Sequence, residues 1–172
     1  MTATWTAPRT WADNDLVAAA DLNEQLRDNQ EFLKDPPTDI YDANEASDYT
    51  TTSTSFTDVD GTNFSLSLDT EGGDVLVWFS GNVRTNSAGQ TIHLNVSVDG
   101  SDNVADDGII GTPVTGAQPG LPTTFIRLIQ GLAAGTHTFK LRWKTNTGTA
   151  TLYAGAGTSN ADVHPQFGVR EI

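Results

Sequence analysis

Apolar and polar side chains alternate along most of the chain after residue 53. This alternation is the pattern of a strand with one buried face, and it covers eight stretches: 54–59, 64–69, 75–84, 91–99, 123–130, 137–145, 150–155 and 166–172. Turn-forming sequences separate the stretches, among them EGGD, NSAGQ and NTGT. The spacing predicts a mainly β fold, an antiparallel β-sandwich of jelly-roll type over residues 53–172.

Residues 16–34 follow a helical period. They are rich in Ala, Leu, Glu, Gln and Arg and contain no Gly or Pro, and the prolines at 36 and 37 end the segment, which we treat as a unit of residues 16–37. The stripe of apolar positions is narrow, as in helices that pack on partner helices. The sequence therefore predicts one short oligomerising helix with an interhelical seam of Ala19, Leu22, Leu26, Asn29 and Leu33.

Asn29 is the polar member of this seam. A polar residue inside an interhelical seam lowers stability but fixes the register and number of helices. The alternative is that the helix packs on its own β domain, as short amphipathic helices often do.

The segments beside the helix are less regular. Residues 1–15 are predicted to form an extended attachment arm, because Pro8 fixes its own backbone angle while Trp5 and Trp11 have no apolar partner within the arm. Residues 38–52 are acidic and polar and are read as a linker or a first edge strand. The stretch 100–122 exceeds ordinary loop length, so we expect it to carry function or contact a partner.

The chain is strongly acidic, with a net charge of -13. Its basic residues are scattered, so no nucleic-acid partner is expected. The 17 Asp, 5 Glu and 3 Lys suit solubility at high ionic strength, which suggests a halophilic source, or alternatively a GC-rich genome that disfavours Lys codons. No apolar run is long enough to span a bilayer and the N-terminus lacks signal-peptide features, so no membrane partner is expected.

The sequence contains none of the common catalytic motifs, so we expect a non-enzymatic protein with no catalytic residue and no cofactor. His93, His137 and His164 have no neighbouring ligand, and structural roles are favoured over a metal shared at a threefold axis. The acidic loops 58–63 and 99–108 do not match calcium-loop spacing, and hairpin turns are favoured over calcium sites there. No metal site is predicted.

Three aromatic residues are candidates for stacking on sugars: Trp78, Trp143 and Tyr153. Their alternation also allows core or intersubunit packing, which is favoured because buried aromatics dominate sandwich cores. Arg142 and Lys144 flank Trp143 and make the outward face of that strand cationic. These three residues are the candidate ligand contact, facing a ligand or the acidic groups of a neighbouring copy.

Two parts of the sequence resemble proteins of tailed-virus particles. The segment PRTWADNDLVAAADLNEQLRDNQEFL at 8–33 resembles the N-terminal segment of many virion proteins, in which a Trp-containing arm leads into a TA-x-x-LN-x-x-(I/L)RDN helix. The matching residues are Trp11, Val17, Ala19, Leu22, Asn23, Leu26, Arg27, Asp28 and Asn29. The chain departs from that pattern at Asn14 and Asp15, where Gly-Glu is common, and at Ala18, where a capping Thr is common.

The stretch 131–153 and the closing strand FGVREI are similar to jelly-roll modules of phage fibre and decoration proteins. The resemblance implies a homotrimer located in the virion, with other virion proteins as partners. It leads to a non-enzymatic fibre, spike or capsid-decoration component attached by its arm and helix. A virion adhesin that binds a host surface glycan or receptor, and a cellular carbohydrate-binding module, are the alternatives.

Overall fold

The computed structural model describes residues 5–113, 118–159 and 162–172. Two six-stranded antiparallel sheets face each other over these residues. Sheet A contains β1 (Thr38–Asp42), β2 (Tyr49–Thr51), β5 (Gly73–Thr85), β9 (Gln118–Leu132), β11 (Ala150–Leu152) and β12 (Gln166–Glu171). Sheet B contains β3 (Thr57–Asp58), β4 (Ser65–Thr70), β6 (Thr91–Val98), β7 (Ser101–Asp102), β8 (Ile110–Pro113) and β10 (Gly135–Thr145).

The strand order is that of a jelly roll. In sheet A, β1 pairs with β12, β12 with β5, and β5 with β9; in sheet B, β4 pairs with β10, β10 with β6, and β6 with β8. Two four-stranded sheets in this order form the eight-stranded jelly roll, and the remaining short strands extend their edges. The predicted fold class, a mainly β antiparallel sandwich preceded by an arm and a short helix, is confirmed.

Alternating side chains of the two sheets fill the core. From β5 the inward phase includes Val75, Val77 and Phe79, and from β10 it includes Leu141 and Trp143; all five are buried. The opposite phase of each strand points away from the core, so each sheet also has an outer face. The two outer faces differ in chemistry.

Residues 100–122 do not form the single long connection that their sequence suggested, and their expected role in function or partner contact stays a prediction. Instead of one long loop, this stretch contains β7, β8 and the first residues of β9, while residues 114–117 lie outside the described part. The reason is that Ile109 and Ile110 pack against the core and that β8 pairs with β6 over four residues. Between 38 and 52 the chain forms the edge strands β1 and β2, joined by a turn.

The helix begins at Ala19, later than the predicted residue 16. It consists of α1 (Ala19–Leu22), a π-helical stretch (Asn23–Asp28) and α2 (Asn29–Lys34). A π-helix closes i→i+5 hydrogen bonds and therefore holds more residues per turn than an α-helix. Side chains after this stretch are consequently rotated relative to those before it, away from the positions that the α-helical spacing predicts.

Candidate interaction surface

The N-terminal arm lies along one side of the helix. The backbone N–H of Thr6 donates to Oδ1 of Asn29 at 2.9 Å, and Nδ2 of Asn29 donates to the carbonyl of Thr6 at 2.9 Å. The amide side chain thus pairs with the arm in the way that a neighbouring strand would, through one donor and one acceptor. Because Asn29 is only 6% exposed, this pair is largely shielded from water.

A second amide holds the arm one helical turn earlier. The backbone N–H of Arg9 donates to Oε1 of Gln25 at 2.8 Å, and Nε2 of Gln25 donates to the carbonyl of Ala7 at 3.4 Å. The Arg9 guanidinium lies 3.0 Å from Asp21 and stacks 4.3 Å from the Trp11 ring centre. The arm therefore runs antiparallel to the helix, pinned by side chains of the LNEQLRDN motif.

Trp5 and Phe32 connect this arm and helix to the end of the sandwich. Their ring centres are 6.0 Å apart, and Phe32 is buried. Both rings line a cleft together with Leu33, Glu71, Gly72, Glu171 and Ile172. The buried Glu171 carboxylate accepts the backbone N–H of Glu71 at 3.0 Å, and burial raises the pKa of Glu171. Trp5, the first aromatic residue of the arm, therefore packs against Phe32 of the same chain.

The docked arm leaves three leucines of the helix uncovered. Leu22, Leu26 and Leu33 are 45%, 54% and 67% exposed, and Ala19 is exposed too. We call Leu22, Leu26 and Leu33 the leucine stripe. Asn29 needs a correction: its amide is bonded to the backbone of Thr6, so it faces the arm of its own chain. Self-association through the remaining seam residues stays a prediction.

The cations on the outer face of β10 form ion pairs within the chain, and their contact with a ligand or a neighbour stays a prediction. Nη1 of Arg142 lies 2.7 Å from Asp102, and Nε lies 3.3 Å from Asp58. Nζ of Lys144 lies 3.0 Å from Asp107, and Nζ of Lys140 lies 2.9 Å from Asp58. The carboxylates come from the two acidic loops that were considered as calcium sites.

Trp143 is 1% exposed and belongs to the core, as the favoured interpretation of its alternation predicts, so its ring has no surface left for a ligand. It shares the inward phase of β10 with Phe139 and Leu141, so the strand's pleat turns its ring away from solvent. Tyr153 is also buried, and Trp78 is half-buried on the outer face of sheet A. A glycan-binding adhesin or module would therefore need other surface groups than these.

His137 bridges two acceptors beside this face. Its Nδ1 lies 2.7 Å from Asp99 and its Nε2 lies 2.9 Å from the carbonyl of Ala133. Both ring nitrogens need a proton to donate, so these bonds raise the pKa of His137. The pKa of Asp99 is lowered, mainly by the backbone N–H of Thr138 and then by His137. Within the described ranges no three His, Asp or Glu residues cluster as a metal site.

Sequence reasoning missed the arm-binding role of the helix. A signal was present, because Asp21, Gln25 and Asn29 recur every four residues and form a polar stripe beside the leucines. Hydrophobic periodicity alone does not distinguish such a stripe from a solvated face.

In the described part of the chain, no helix has the length and apolar character needed to cross a bilayer.

No protein-family model matches the chain, and no curated protein is significantly similar to it. Among solved structures, it is similar to Eiger TNF from S. frugiperda, with 10% identity, a TM-score of 0.42, and coverage of 78% of this chain and 92% of that one. It is also similar to a chain in the structure of infectious bursal disease virus, Gx strain. The identity is 12% and the TM-score 0.42, and the match covers 79% of this chain and 36% of that one.

The chain is also similar to a pentameric capsid protein isolated from metagenomic phage sequences. Here the identity is 18% and the TM-score 0.29, with coverage of 95% of this chain and 81% of that one. These similarities are distant, and they assign no function. Viral proteins, including a phage capsid protein, are among the structures that this chain resembles.

Proposed function

We propose that the protein is a non-enzymatic structural component of a tailed-virus particle. Its helices associate into a homotrimer through the leucine stripe, and its sandwich projects as a fibre, spike or capsid decoration. The observation that carries this proposal is that the docked arm leaves three leucines of the helix uncovered. The arm bonds to Gln25 and Asn29, whereas Leu22, Leu26 and Leu33 are exposed to water.

The exposed stripe is costly for a lone chain. Fully burying a leucine side chain is worth about 1.5–3 kcal/mol, so three of them provide a substantial driving force for association. A helix this short is marginal in isolation, and only Phe32 and Asn29 among its residues are buried. Partner helices would cover the leucines and stabilise the helix. The number three follows from the resemblance to virion proteins.

Attachment to the particle is assigned to the arm. Trp5 and Trp11 remain 38% exposed after docking on the helix, and Pro8 keeps the backbone between them extended. A trimer would present three such arms side by side to other virion proteins. Three linked weak contacts hold far more tightly than one, because each later contact is intramolecular.

The experiment is a mass measurement by light scattering on the purified full-length chain. We expect the wild-type protein to have three times the single-chain mass of 18.3 kDa. Leu22→Asp and Leu26→Asp should reduce it to one chain, because a carboxylate in the stripe cannot be desolvated without a partner. Asn23→Asp adds the same charge beside Leu22 but outside the stripe and should remain trimeric. A wild-type protein with the mass of one chain would contradict the proposal.

A further inference from the structure

The outer face of sheet A is apolar at its centre. Ile40, Gly168, Trp78 and Ile126 are aligned in register across four neighbouring strands. The adjacent register line places Leu76 beside Leu128. The outward face of an antiparallel sheet is normally polar where it meets water, yet Ile126 is 68% exposed and both Ile40 and Leu128 are exposed. We call Ile40, Leu76, Trp78, Ile126 and Leu128 the sheet A patch.

Trp78 makes this patch flat. A Cβ at Gly168 would lie only 2.1 Å from Cζ2 of the indole, so the ring lies directly on the backbone of the neighbouring strand. Its Nε1 donates to Oε1 of Gln166 at 2.8 Å. Because the only polar atom of the ring is satisfied within the chain, a partner meets only apolar carbon here. A flat apolar surface suits a large protein surface better than a small ligand.

Charged residues of both signs lie around the patch. Arg170 and Arg84 lie in the outward phase of β12 and β5, and neither forms an ion pair with any residue that the structure describes. On the outer face of β10, in contrast, Lys140, Arg142 and Lys144 are all paired. Asp42 and Asp74 also lie in the outward phase, on β1 and β5, and form no ion pair with any described residue. A second copy therefore offers carboxylates to the two free arginines.

The patch is also continuous with the leucine stripe. Ile172 follows the inward-facing Glu171, so it falls in the outward phase of β12, and it is exposed. Ile172 and Leu33 line the same cleft at the end of the sandwich. Apolar surface therefore extends from the stripe, past Ile172, onto the outer face of sheet A. Copies that are aligned by their helices would have these faces next to each other.

We propose that the sheet A patch contacts a second copy of this chain in the assembled protein. This inference rests on the proposed function, because the leucine stripe brings the copies together. The contact joins the sandwiches as well as the helices, and it buries the apolar rows while Arg84 and Arg170 meet carboxylates of the neighbour. It gives the assembly a fixed arrangement of its projecting domains.

The chain contains no cysteine, so a single introduced thiol reports on one position. Ile126→Cys places a thiol in the patch, and Ser67→Cys places a matched thiol on the exposed outer face of β4 in sheet B. Each full-length variant is made with the wild-type helix and with Leu22→Asp. The rate of maleimide labelling is measured after light scattering has established the mass of each protein.

We expect the thiol at 126 to react about tenfold more slowly in the assembled protein than in the Leu22→Asp protein, and the thiol at 67 to react equally in both. An assembled protein in which both thiols react equally fast would overturn the inference and leave the proposed function standing. Slow labelling at 126 in the Leu22→Asp protein would also overturn it, since the cover would come from the same chain. A single-chain mass for the wild type would remove the proposed function and this inference together.

Discussion

Both outer faces of the sandwich consist of antiparallel strands, but their cationic side chains differ in whether they form ion pairs. On sheet B, the cations of β10 are paired with Asp58, Asp102 and Asp107, and polar side chains fill the positions between. On sheet A, Ile40, Ile126 and Leu128 are exposed around a flat Trp78, and two arginines stand without an ion pair in the described ranges. The charges of one face are paired within the chain, whereas the other face has apolar surface that the described residues leave uncovered.

This difference shows how an acidic chain can leave one surface suitable for association. Carboxylates in the acidic loops of sheet B form ion pairs with the cations of β10 in the same sheet, so that face remains polar. Sheet A has few carboxylates at its centre, so two copies can approach there without strong repulsion. The comparison can be tested by changing one face at a time, in the Leu22→Asp background, so that stability is measured without association.

The largest effect is expected from the two tryptophans. Trp143→Ala removes a fully buried ring from the sheet B side of the core and should lower the free energy of unfolding by about 3–5 kcal/mol. Trp78→Ala removes a half-buried ring from the outer face of sheet A and should cost about 1–2 kcal/mol. Urea denaturation followed by circular dichroism measures both. Equal losses would mean that Trp78 is as much a core residue as Trp143.

An intermediate effect is expected from the arginines. Arg142→Met leaves Asp58 and Asp102 without their bridging cation and should lower the free energy of unfolding by about 1–2 kcal/mol at low salt. Arg84→Met removes an unpaired arginine from the other sheet and should change it by less than about 0.5 kcal/mol. Because ion pairs are screened by salt, the difference between the variants should shrink in 1 M NaCl. A loss at Arg84 equal to that at Arg142 would contradict the contrast between the faces.

The smallest effect is expected from His137. Its raised pKa means that its bonds stabilise the fold fully below the ordinary value of 6.5 and are lost as pH rises through the raised value. The lowered pKa of Asp99 means that its contribution is present above the ordinary value of 3.8 and is lost as pH falls through the lowered value.

His137→Gln should therefore lower the melting temperature most near pH 5, by about 1–2 °C, and least at pH 9. Thermal melts of both proteins across this pH range provide the measurement. A penalty that grows toward pH 9 would show that the neutral imidazole, and not the imidazolium, is the stabilising form.

Strand positions were readable from the sequence where alternation included large apolar residues. In β10, Phe139, Leu141 and Trp143 share one phase, and Lys140 and Arg142 share the other. The same phase argument already indicates that Trp143 is buried. The edge strands β1, β2 and β8 are short and rich in Thr, Asp, Gly and Pro, and one apolar side chain of each, Tyr41, Tyr49 or Ile110, packs against the core. So weak an apolar pattern left residues 38–52 open between a linker and a first edge strand, and it left β8 within a predicted long connection.

Polar contacts between residues far apart in the chain could not be predicted from the sequence pattern. Arg142 meets Asp58 across 84 positions and Asp102 across 40 positions, and no local spacing encodes such partners. Asn29 was expected in the interhelical seam because α-helical geometry was assumed. The π-helical stretch and the arm change its surroundings, and neither can be read from residue spacing alone. The three leucines were identified from local periodicity, but the π-helical stretch between Leu22 and Leu33 changes their relative directions from those of an α-helix.

The antiparallel docking of the arm brings the two ends of the described chain together. Trp5 and Ile172 line the same cleft, while residues 13–15 form the turn at the far tip of the arm and helix. A short Gly-Ser linker could therefore join the two ends, and new termini could be opened at that tip, giving a circular permutant with the same contacts. In such a permutant a fused fluorescent protein would sit at the tip of the arm and helix, at the opposite end from the cleft.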